Sequence, residues 1–178
     1  MMSPFIIDTR DLGRRAGMMQ AKTLTFESPQ SFGTDFIQVP PGENISVELR
    51  LECVIDGILA SGVVHTVAES ECVRCLDPLE IDLSADFQEM YSYEPMGEET
   101  FQMEGDLLDL EPAIRDALVL ELPQSPLCAE DCLGLCPQCG FEMKSDPSHG
   151  HDDIDPRWQA LSGLLQDKEG SKDGSTKA

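Results

Sequence analysis

The chain has 178 residues, of which 12 are Lys or Arg and 34 are Asp or Glu, so its formal net charge is −22. A charge of this size repels phosphate and argues against a protein that binds RNA or DNA mainly by neutralising phosphates, whereas a basic protein is a suitable partner. Apolar residues make up 40% of the chain, which is enough for the core of one domain with a small appendage.

The sequence also bears on the compartment of the protein. Its longest apolar runs are far shorter than the roughly 20 residues that span a bilayer, and residues 1–15 lack the apolar centre of an export signal. We therefore expect a cytoplasmic protein with no membrane partner. In that compartment the Cys-x-x-Cys spacing among its seven cysteines favours metal binding or redox chemistry over disulfides.

The amino-terminal segment is the basic part of the chain. Residues 1–22 have a net charge of +2, whereas residues 51–143 have two arginines against 21 carboxylates. A short strand is expected at residues 5–7, followed by a turn that contains Arg10, Arg14 and Arg15. These three arginines are candidates for a limited contact with phosphate, and the alternative is an ordinary solvated turn.

A half-buried strand is predicted at residues 46–54, where apolar and charged side chains alternate. An Asp-Gly turn at 56–57 connects this strand to a second one at 58–67, so the pair is predicted to form a hairpin. A third alternating strand at 79–91 makes the sheet antiparallel. Cys53 belongs to the inward face of the first strand and is predicted to be a structural core thiol.

Acidic and helical segments follow the strands. Residues 86–116 contain ten carboxylates and one arginine, and the absence of periodicity predicts an exposed acidic loop at about 92–106. This loop is either merely solvated or a docking surface for a basic partner. Pro112 lies in the first turn of a predicted helix that ends before Pro123. A second helix is predicted from Asp155, with Trp158, Leu161 and Leu165 on one stripe.

The cysteines form the strongest motifs. One Cys-x-x-Cys pair, Cys72 and Cys75, lies between two predicted strands, and a second pair, Cys136 and Cys139, is followed by Gly140. Two thiolates with this spacing can reach one ion, and a glycine after the second cysteine lets the backbone turn over the sulfur, as in a zinc knuckle. Thiolates together with imidazoles suit Zn²⁺, with an iron–sulfur cluster as the second choice.

Eight candidate ligands can be divided into two metal sites, a Cys₄ site and a Cys₂His₂ site. The first would use Cys72, Cys75, Cys128 and Cys132, and the second would use Cys136, Cys139, His149 and His151. The alternative is a single site made by Cys128, Cys132, Cys136 and Cys139, with the remaining pair as free thiols. Either grouping gives four protein ligands per ion and leaves no open position for an activated water, which favours structural metal.

Together these elements predict an α+β protein: an antiparallel, partly closed β-sheet with two helices and a zinc-stapled cysteine-rich segment. The expected division is an α+β core at 1–127, a zinc-binding segment with the carboxyl-terminal helix at 128–166, and a disordered tail at 167–178.

We expect the protein not to be an enzyme. The sequence has no glycine-rich phosphate loop, no His-Glu-x-x-His and no Gly-x-Ser-x-Gly motif. Thiol redox is the main rival chemistry, and it requires a Cys-x-x-Cys pair whose thiol pKa is lowered at the start of a helix. Cys72 and Cys75 lie instead between strands, next to Glu71 and Asp77, whose charges are expected to raise the thiol pKa.

Five segments of the chain resemble a known family. They are Cys72-Val73-Arg74-Cys75-Leu76, the approach Leu122-Pro123 with Pro126-Leu127-Cys128, the block 130–140, the pair His149-Gly150-His151 and the helix start Asp155-Pro156-Arg157-Trp158. Over about residues 46–165 they are similar to the YceD family of large ribosomal RNA subunit accumulation proteins, and the histidine pair resembles the actinobacterial branch. Other members have cysteines at the histidine positions, and some lack the second Cys-x-x-Cys pair. This pattern in the family implies two independent sites.

The resemblance implies a non-enzymatic factor needed for the accumulation of 23S rRNA, and hence a role in assembly of the large ribosomal subunit. We expect the acidic surface to bind a basic ribosomal protein or rRNA-processing factor, with limited rRNA contact through Arg10, Arg14 and Arg15. The alternatives are a zinc-dependent adaptor or holdase outside ribosome assembly, and a thiol redox protein.

Overall fold

The structure is a computed structural model that describes residues 3–94 and 101–151. Its elements in chain order are β1 Ile6–Asp8, β2 Met19–Glu27, β3 Phe32–Gly33, β4 Ile37–Val39, β5 Asn44–Cys53, β6 Gly57–Glu71, β7 Pro78–Ser92, β8 Phe101–Gln102, β9 Leu107–Asp109 and α1 Glu111–Glu121.

A long hairpin of β6 and β7 is the central feature of the sheet. The two strands have 15 residues each and stay in register from Gly57 opposite Ser92 to Glu71 opposite Pro78. On its other edge β6 pairs with β5 and then, further along, with β4, while β2 pairs with β5 and β3 with β4. All these pairings are antiparallel, so the predicted antiparallel sheet is confirmed; the short β7 to β8 pairing is parallel.

The alternation predicted in β5 determines which face of the sheet becomes the core. Val47, Leu49 and Leu51 are buried on one face, whereas Glu48 and Arg50 lie on the other. Each buried aliphatic side chain contributes roughly 1.5–3 kcal/mol relative to an exposed one. Cys53 continues this face with 1% exposure, and its Sγ lies 2.9 Å from the carbonyl oxygen of Gly13, which confirms the predicted core thiol.

Helix α1 covers the sheet and leads the chain towards the cysteine-rich segment. Pro112 lies in its first turn, and a carboxylate oxygen of Asp109 accepts a hydrogen bond of 3.0 Å from the backbone N–H of Glu111. The helix buries Ile114 and Leu118 and ends before Pro123, whose ring disfavours helical geometry in the preceding residue. In the described part of the chain, no helix is long and apolar enough to cross a membrane.

Several predicted features lie partly or wholly beyond the described residues. The helix predicted from Asp155 and the tail at 167–178 are outside them, so one of the two predicted helices is present in the part of the chain described here. The acidic loop predicted at about 92–106 is described except for 95–100, and it contains β8. The terminal strands of the larger sheet are β2, β3 and β8, and no pairing joins any two of them within residues 3–94 and 101–151, so the partial closure stays a prediction.

Both tyrosines are held neutral by the fold, which predicts the alkaline behaviour of the protein. Burial raises the pKa of Tyr91, and burial together with the neighbouring Cys53 thiol raises the pKa of Tyr93 to about 12. The unfolded chain therefore binds fewer protons than the folded one above pH 10, so the free energy of unfolding should fall as pH rises from 10 towards 12.

Absorbance at the tyrosinate band measures this difference directly. The folded protein should show no tyrosinate until the pH approaches 12, whereas protein unfolded in guanidinium should titrate near the ordinary value of 10. Tyrosinate formation near pH 10 in protein that retains its folded circular dichroism would contradict the placement of Tyr91 in the core and of Tyr93 in partial burial beside Cys53.

Candidate metal centre

The first cysteine pair is the loop of the long hairpin. Residues 72–77 join the last residue of β6 to the first of β7, and the backbone N–H of Cys72 donates to the carbonyl of Asp77 at 2.8 Å. The N–H of Leu76 donates to the carbonyl of Cys72 at 2.9 Å, which closes the turn. Cys72 is fully buried at the base of the loop. Strand pairing therefore places this thiol against the end of the core.

The second cysteine pair has the same backbone geometry. The N–H of Cys136 donates to the carbonyl of Phe141 at 2.8 Å, and the N–H of Gly140 donates to the carbonyl of Cys136 at 2.8 Å. In both turns the residue after the second cysteine is left-handed, with φ of 64° at Leu76 and 74° at Gly140. We call these two turns the first and second knuckle; sequence reasoning recognised the geometry only in the second, where the glycine signals it.

Four sulfur atoms meet at the first knuckle. The Sγ atoms of Cys72, Cys75, Cys128 and Cys132 all lie within 4.8 Å of one another. The Cys72 to Cys132 separation is 3.8 Å and the Cys75 to Cys128 separation is 3.6 Å. A tetrahedral ion with bonds of about 2.3 Å to sulfur separates its sulfurs by roughly 3.8 Å. This donor set, which we call the first centre, fits a tetrahedral thiolate-bound metal.

Two sulfurs and two imidazoles meet at the second knuckle. The ligand atoms of Cys136, Cys139, His149 and His151 also lie within 4.8 Å of one another. The Cys139 Sγ is 3.3 Å from the Nε2 of each histidine, and the two Nε2 atoms are 3.1 Å apart. The ring of His149 stacks on Phe141 with centroids 4.5 Å apart, which orients the imidazole. We call this donor set the second centre, and its mixed sulfur and nitrogen atoms also fit a tetrahedral metal.

The structure thus brings together the two sets of four residues from the two-site grouping. Among the described residues, the rival set of Cys128, Cys132, Cys136 and Cys139 is not assembled; its members divide between the two centres. The physical reason is the hairpin: its loop supplies two thiols to the first centre before the second knuckle is reached. The two clusters could hold two metal ions, one each.

Backbone N–H groups lower the pKa of one thiol in each knuckle. The N–H groups of Cys75 and Cys128 lower the pKa of Cys72 to about 6. The N–H groups of Cys139 and Gln138 likewise lower the pKa of Cys136 to about 6. The sequence-based expectation of a raised thiol pKa is wrong for Cys72, because these backbone groups outweigh the effect of burial. It holds for Cys75, where burial, the neighbouring thiols and the Asp77 side chain raise the pKa. Thiolates are the form that binds metal.

Arg74 connects the two centres, a role that sequence reasoning missed. Its carbonyl accepts a hydrogen bond of 2.9 Å from the N–H of Leu135, and its guanidinium donates to the carbonyl of Cys132 at 2.8 Å. Gly134 packs so closely that a Cβ there would lie 2.8 Å from the Arg74 carbonyl oxygen. Nothing in the local spacing signals this contact, because it joins residues about sixty positions apart. The second centre is therefore anchored through the first knuckle.

Two of the three arginines that are predicted to contact phosphate form ion pairs with carboxylates. Arg10 forms an ion pair with Asp8, and Arg14 forms one of 3.1 Å with Asp106 while its guanidinium lies over the ring of Tyr93. Both pairs are exposed, and such pairs contribute little to stability. Arg15 is exposed as well. Contact with rRNA stays a prediction.

Comparison with known proteins identifies the family. The model of the family "Large ribosomal RNA subunit accumulation protein YceD" matches residues 60–165, which include the first centre and the second knuckle with its histidines. The chain belongs to the YceD family. The predicted resemblance is confirmed, and membership connects this YceD-family chain with accumulation of large-subunit ribosomal RNA.

Curated relatives of this YceD-family chain come from mycobacteria, in agreement with the predicted actinobacterial branch. The uncharacterized protein Rv2926c of Mycobacterium tuberculosis is 38% identical over 170 residues, which cover 92% of this chain and 82% of the relative. The uncharacterized protein ML1660 of Mycobacterium leprae is 35% identical over 173 residues, with 93% and 79% coverage. No solved structure matches the chain.

Metal content and thiol accessibility test the two centres of this YceD-family chain. We expect two metal equivalents per chain, with Cys53 as the one thiol outside the clusters and all seven thiols reactive after chelation in denaturant. Elemental analysis combined with thiol titration measures both quantities. One metal ion with three reactive thiols would instead favour the rival single site, and a folded protein without metal would contradict both groupings.

A matched pair of ligand variants tests how each centre supports the fold. Cys75→Ser and Cys139→Ser should each lose one metal equivalent, but only the first should destabilise the main sheet, because the first centre closes the β6–β7 hairpin. A loss of about 4 kcal/mol, a fraction of what structural zinc contributes in finger peptides, would lower the melting temperature by about 10 °C.

Thermal unfolding followed by circular dichroism distinguishes the two variants. Cys139→Ser should keep the main transition of the wild type, and Cys53→Ala serves as the control that removes a thiol while retaining both metal equivalents. Equal loss of melting temperature in the two ligand variants would show that the centres are not arranged in this hierarchy.

Proposed function

We propose that this protein is a non-catalytic cytoplasmic factor that promotes accumulation of 23S rRNA and assembly of the large ribosomal subunit, with one structural Zn²⁺ at each centre. The biological role is supported by membership of the YceD family, whose model matches residues 60–165. The observation that supports the structural metal is the pair of four-atom donor sets, one Cys₄ and one Cys₂His₂.

Zinc suits these donor sets better than other metals. Thiolates and imidazoles in tetrahedral arrangement are the ligands of structural zinc, and the S···S and N···N separations correspond to such an arrangement. Four protein ligands occupy every position of a tetrahedral ion, so no place remains for a reactive water. A metal of this kind stabilises a surface, and it performs no chemistry.

The two zinc ions would fasten three parts of the chain to one another. The first centre joins the hairpin loop to the segment after α1, where the N–H of Val73 donates to the carbonyl of Pro126 at 3.0 Å. The second centre folds residues 136–151 upon themselves and lies against the first knuckle through Arg74. Zinc therefore fixes a rigid surface at one end of the sheet.

The charge of the chain indicates what this protein contacts in a ribosomal precursor. Its net charge of −22 favours association with a basic ribosomal protein or a basic processing factor over direct capture of rRNA. A redox function is disfavoured because Cys72, the thiol with the lowered pKa in the hairpin loop, has no exposed surface for a disulfide substrate.

Depletion and complementation test the proposed function. Removal of the protein should reduce 23S rRNA relative to 16S rRNA and shift ribosomal particles towards incomplete large subunits in sucrose gradients. Wild-type protein should restore both measurements, and Cys75→Ser, which breaks the first centre, should not. Cys53→Ala is the matched control and should restore both.

The contrary results are distinct. Unchanged 23S rRNA on depletion would show that the protein acts outside ribosome assembly, as a zinc-dependent adaptor or holdase. Full restoration by Cys75→Ser that has lost one metal equivalent would show that the first centre has no part in the function.

A further inference from the structure

An apolar groove lies beside the first centre, between the carboxyl end of α1, the hairpin loop and the residues before β4. Its cavity volume is about 640 Å³. Ten large apolar side chains are exposed in the described part of the chain, and five of them line this groove. They are Phe36, Val73, Leu76, Val119 and Leu120. A cluster of this kind on a soluble domain marks a binding surface, whereas single exposed apolar residues do not.

Leu76 provides a second, independent sign that the groove binds something. It has φ of 64° and is the one non-glycine residue with positive φ in the described chain, although the equivalent position of the second knuckle is Gly140. A left-handed backbone is unfavourable for leucine and free of strain for glycine. The Leu76 residue is 59% exposed, so its side chain gains little burial within this chain to offset the strain. The exposed Leu76 side chain is therefore available for a contact outside the chain.

The rim of the groove has a charge pattern that indicates the partner. A depression that shares Phe36, Ser70 and Glu71 with the groove is also lined by three further carboxylates, Asp35, Glu69 and Glu80. Glu69 and Glu80 lie directly opposite each other on β6 and β7, where like charges destabilise a sheet. Among the described residues none of these four carboxylates forms an ion pair. A cationic partner would neutralise them.

We propose that this groove binds a segment of a basic protein that presents large apolar side chains between lysines and arginines. The inference rests on the proposed function and deepens it, because it names the surface that holds the basic partner. The apolar side chains of the segment would lie against Leu76 and Leu120, and its cations against the acidic rim. The chain's own residues 152–167 fit less well, since they contain four aspartates and one arginine. The same acidic rim disfavours RNA.

The test uses the full-length, zinc-loaded chain and a fluorescein-labelled amphipathic peptide of leucine and lysine, with binding followed by fluorescence anisotropy. A charge-reversed peptide of leucine and glutamate is the control probe. We expect the lysine peptide to bind and the glutamate peptide not to bind. Leu76→Gly and Leu120→Ser should each weaken binding at least about ten-fold, as expected for residues at the centre of an interface.

Two features of the variants separate binding from folding. Leu76→Gly should retain both metal equivalents and have a melting temperature no lower than that of the wild type, because glycine adopts this backbone conformation without strain. Ile55→Ser is the matched control for Leu120→Ser, since each wild-type side chain is 85% exposed and Ile55 lies in the distant β5–β6 turn. This control should bind the peptide as the wild type does.

Several results would overturn the proposal. Equal peptide affinity of the wild type and Leu76→Gly would show that the peptide does not bind in the groove. Equal binding of the lysine and glutamate peptides would show that the acidic rim does not select a cationic partner. Binding that appears only in Trp158→Ser would assign the groove to the chain's own carboxyl-terminal segment. Capture of an rRNA fragment that is lost in Leu76→Gly would assign it to RNA.

The complementation strain distinguishes this inference from the proposed function. If Leu76→Gly restores 23S rRNA as fully as the wild type while retaining both metals, the proposal that the groove binds the partner is wrong and the proposed function stands. If depletion of the protein leaves 23S rRNA unchanged, the proposed function fails whatever the peptide measurements show.

Discussion

The register of the β6–β7 hairpin is the constraint on which both candidate metal centres depend. Fifteen consecutive residue pairs place Glu71 opposite Pro78 and leave residues 72–77 as a loop at the end of the core. A slip of one residue would turn Cys72 from the buried face to the exposed face, because side chains alternate across a strand. The first centre forms at this loop, and the second centre is held against it by the backbone of Arg74.

The two knuckles share their backbone hydrogen bonds but differ in what surrounds them. Each knuckle buries its first cysteine, Cys72 or Cys136, but the left-handed position is a leucine in the first knuckle and a glycine in the second. Metal binding requires only that the turn brings the two sulfur atoms together, and the turn forms with either leucine or glycine in the left-handed position. The difference therefore concerns the surface, and it is the strained leucine of the first knuckle that faces the apolar groove.

Charge constrains the partners more strongly than it constrains the fold. Two zinc ions would not relieve the net charge of −22, because six cysteine thiolates outweigh four positive charges. The acidic rim of the groove and the opposed pair of Glu69 and Glu80 concentrate part of this charge next to exposed apolar side chains. A cationic segment with apolar side chains would complement both properties of this surface, its negative charge and its exposed apolar side chains. A single surface would then serve both as metal-stabilised scaffold and as recognition site.

Local patterns by themselves determined much of this protein: the alternation of β5, the tight turn at 56–57, the start of α1 at Pro112 and the ligand spacing of each Cys-x-x-Cys pair. These depend on contacts between neighbours in the chain, so the sequence alone predicts them. Strand β2 escaped prediction because it is an edge strand without a fully buried residue. Only the tertiary structure decided that Cys128 and Cys132 join the hairpin loop, that Arg74 links the two centres and that Leu76 lies in a groove beside α1. Each of these contacts joins residues more than forty positions apart. Whether such residues meet depends on how the sheet and the helix pack.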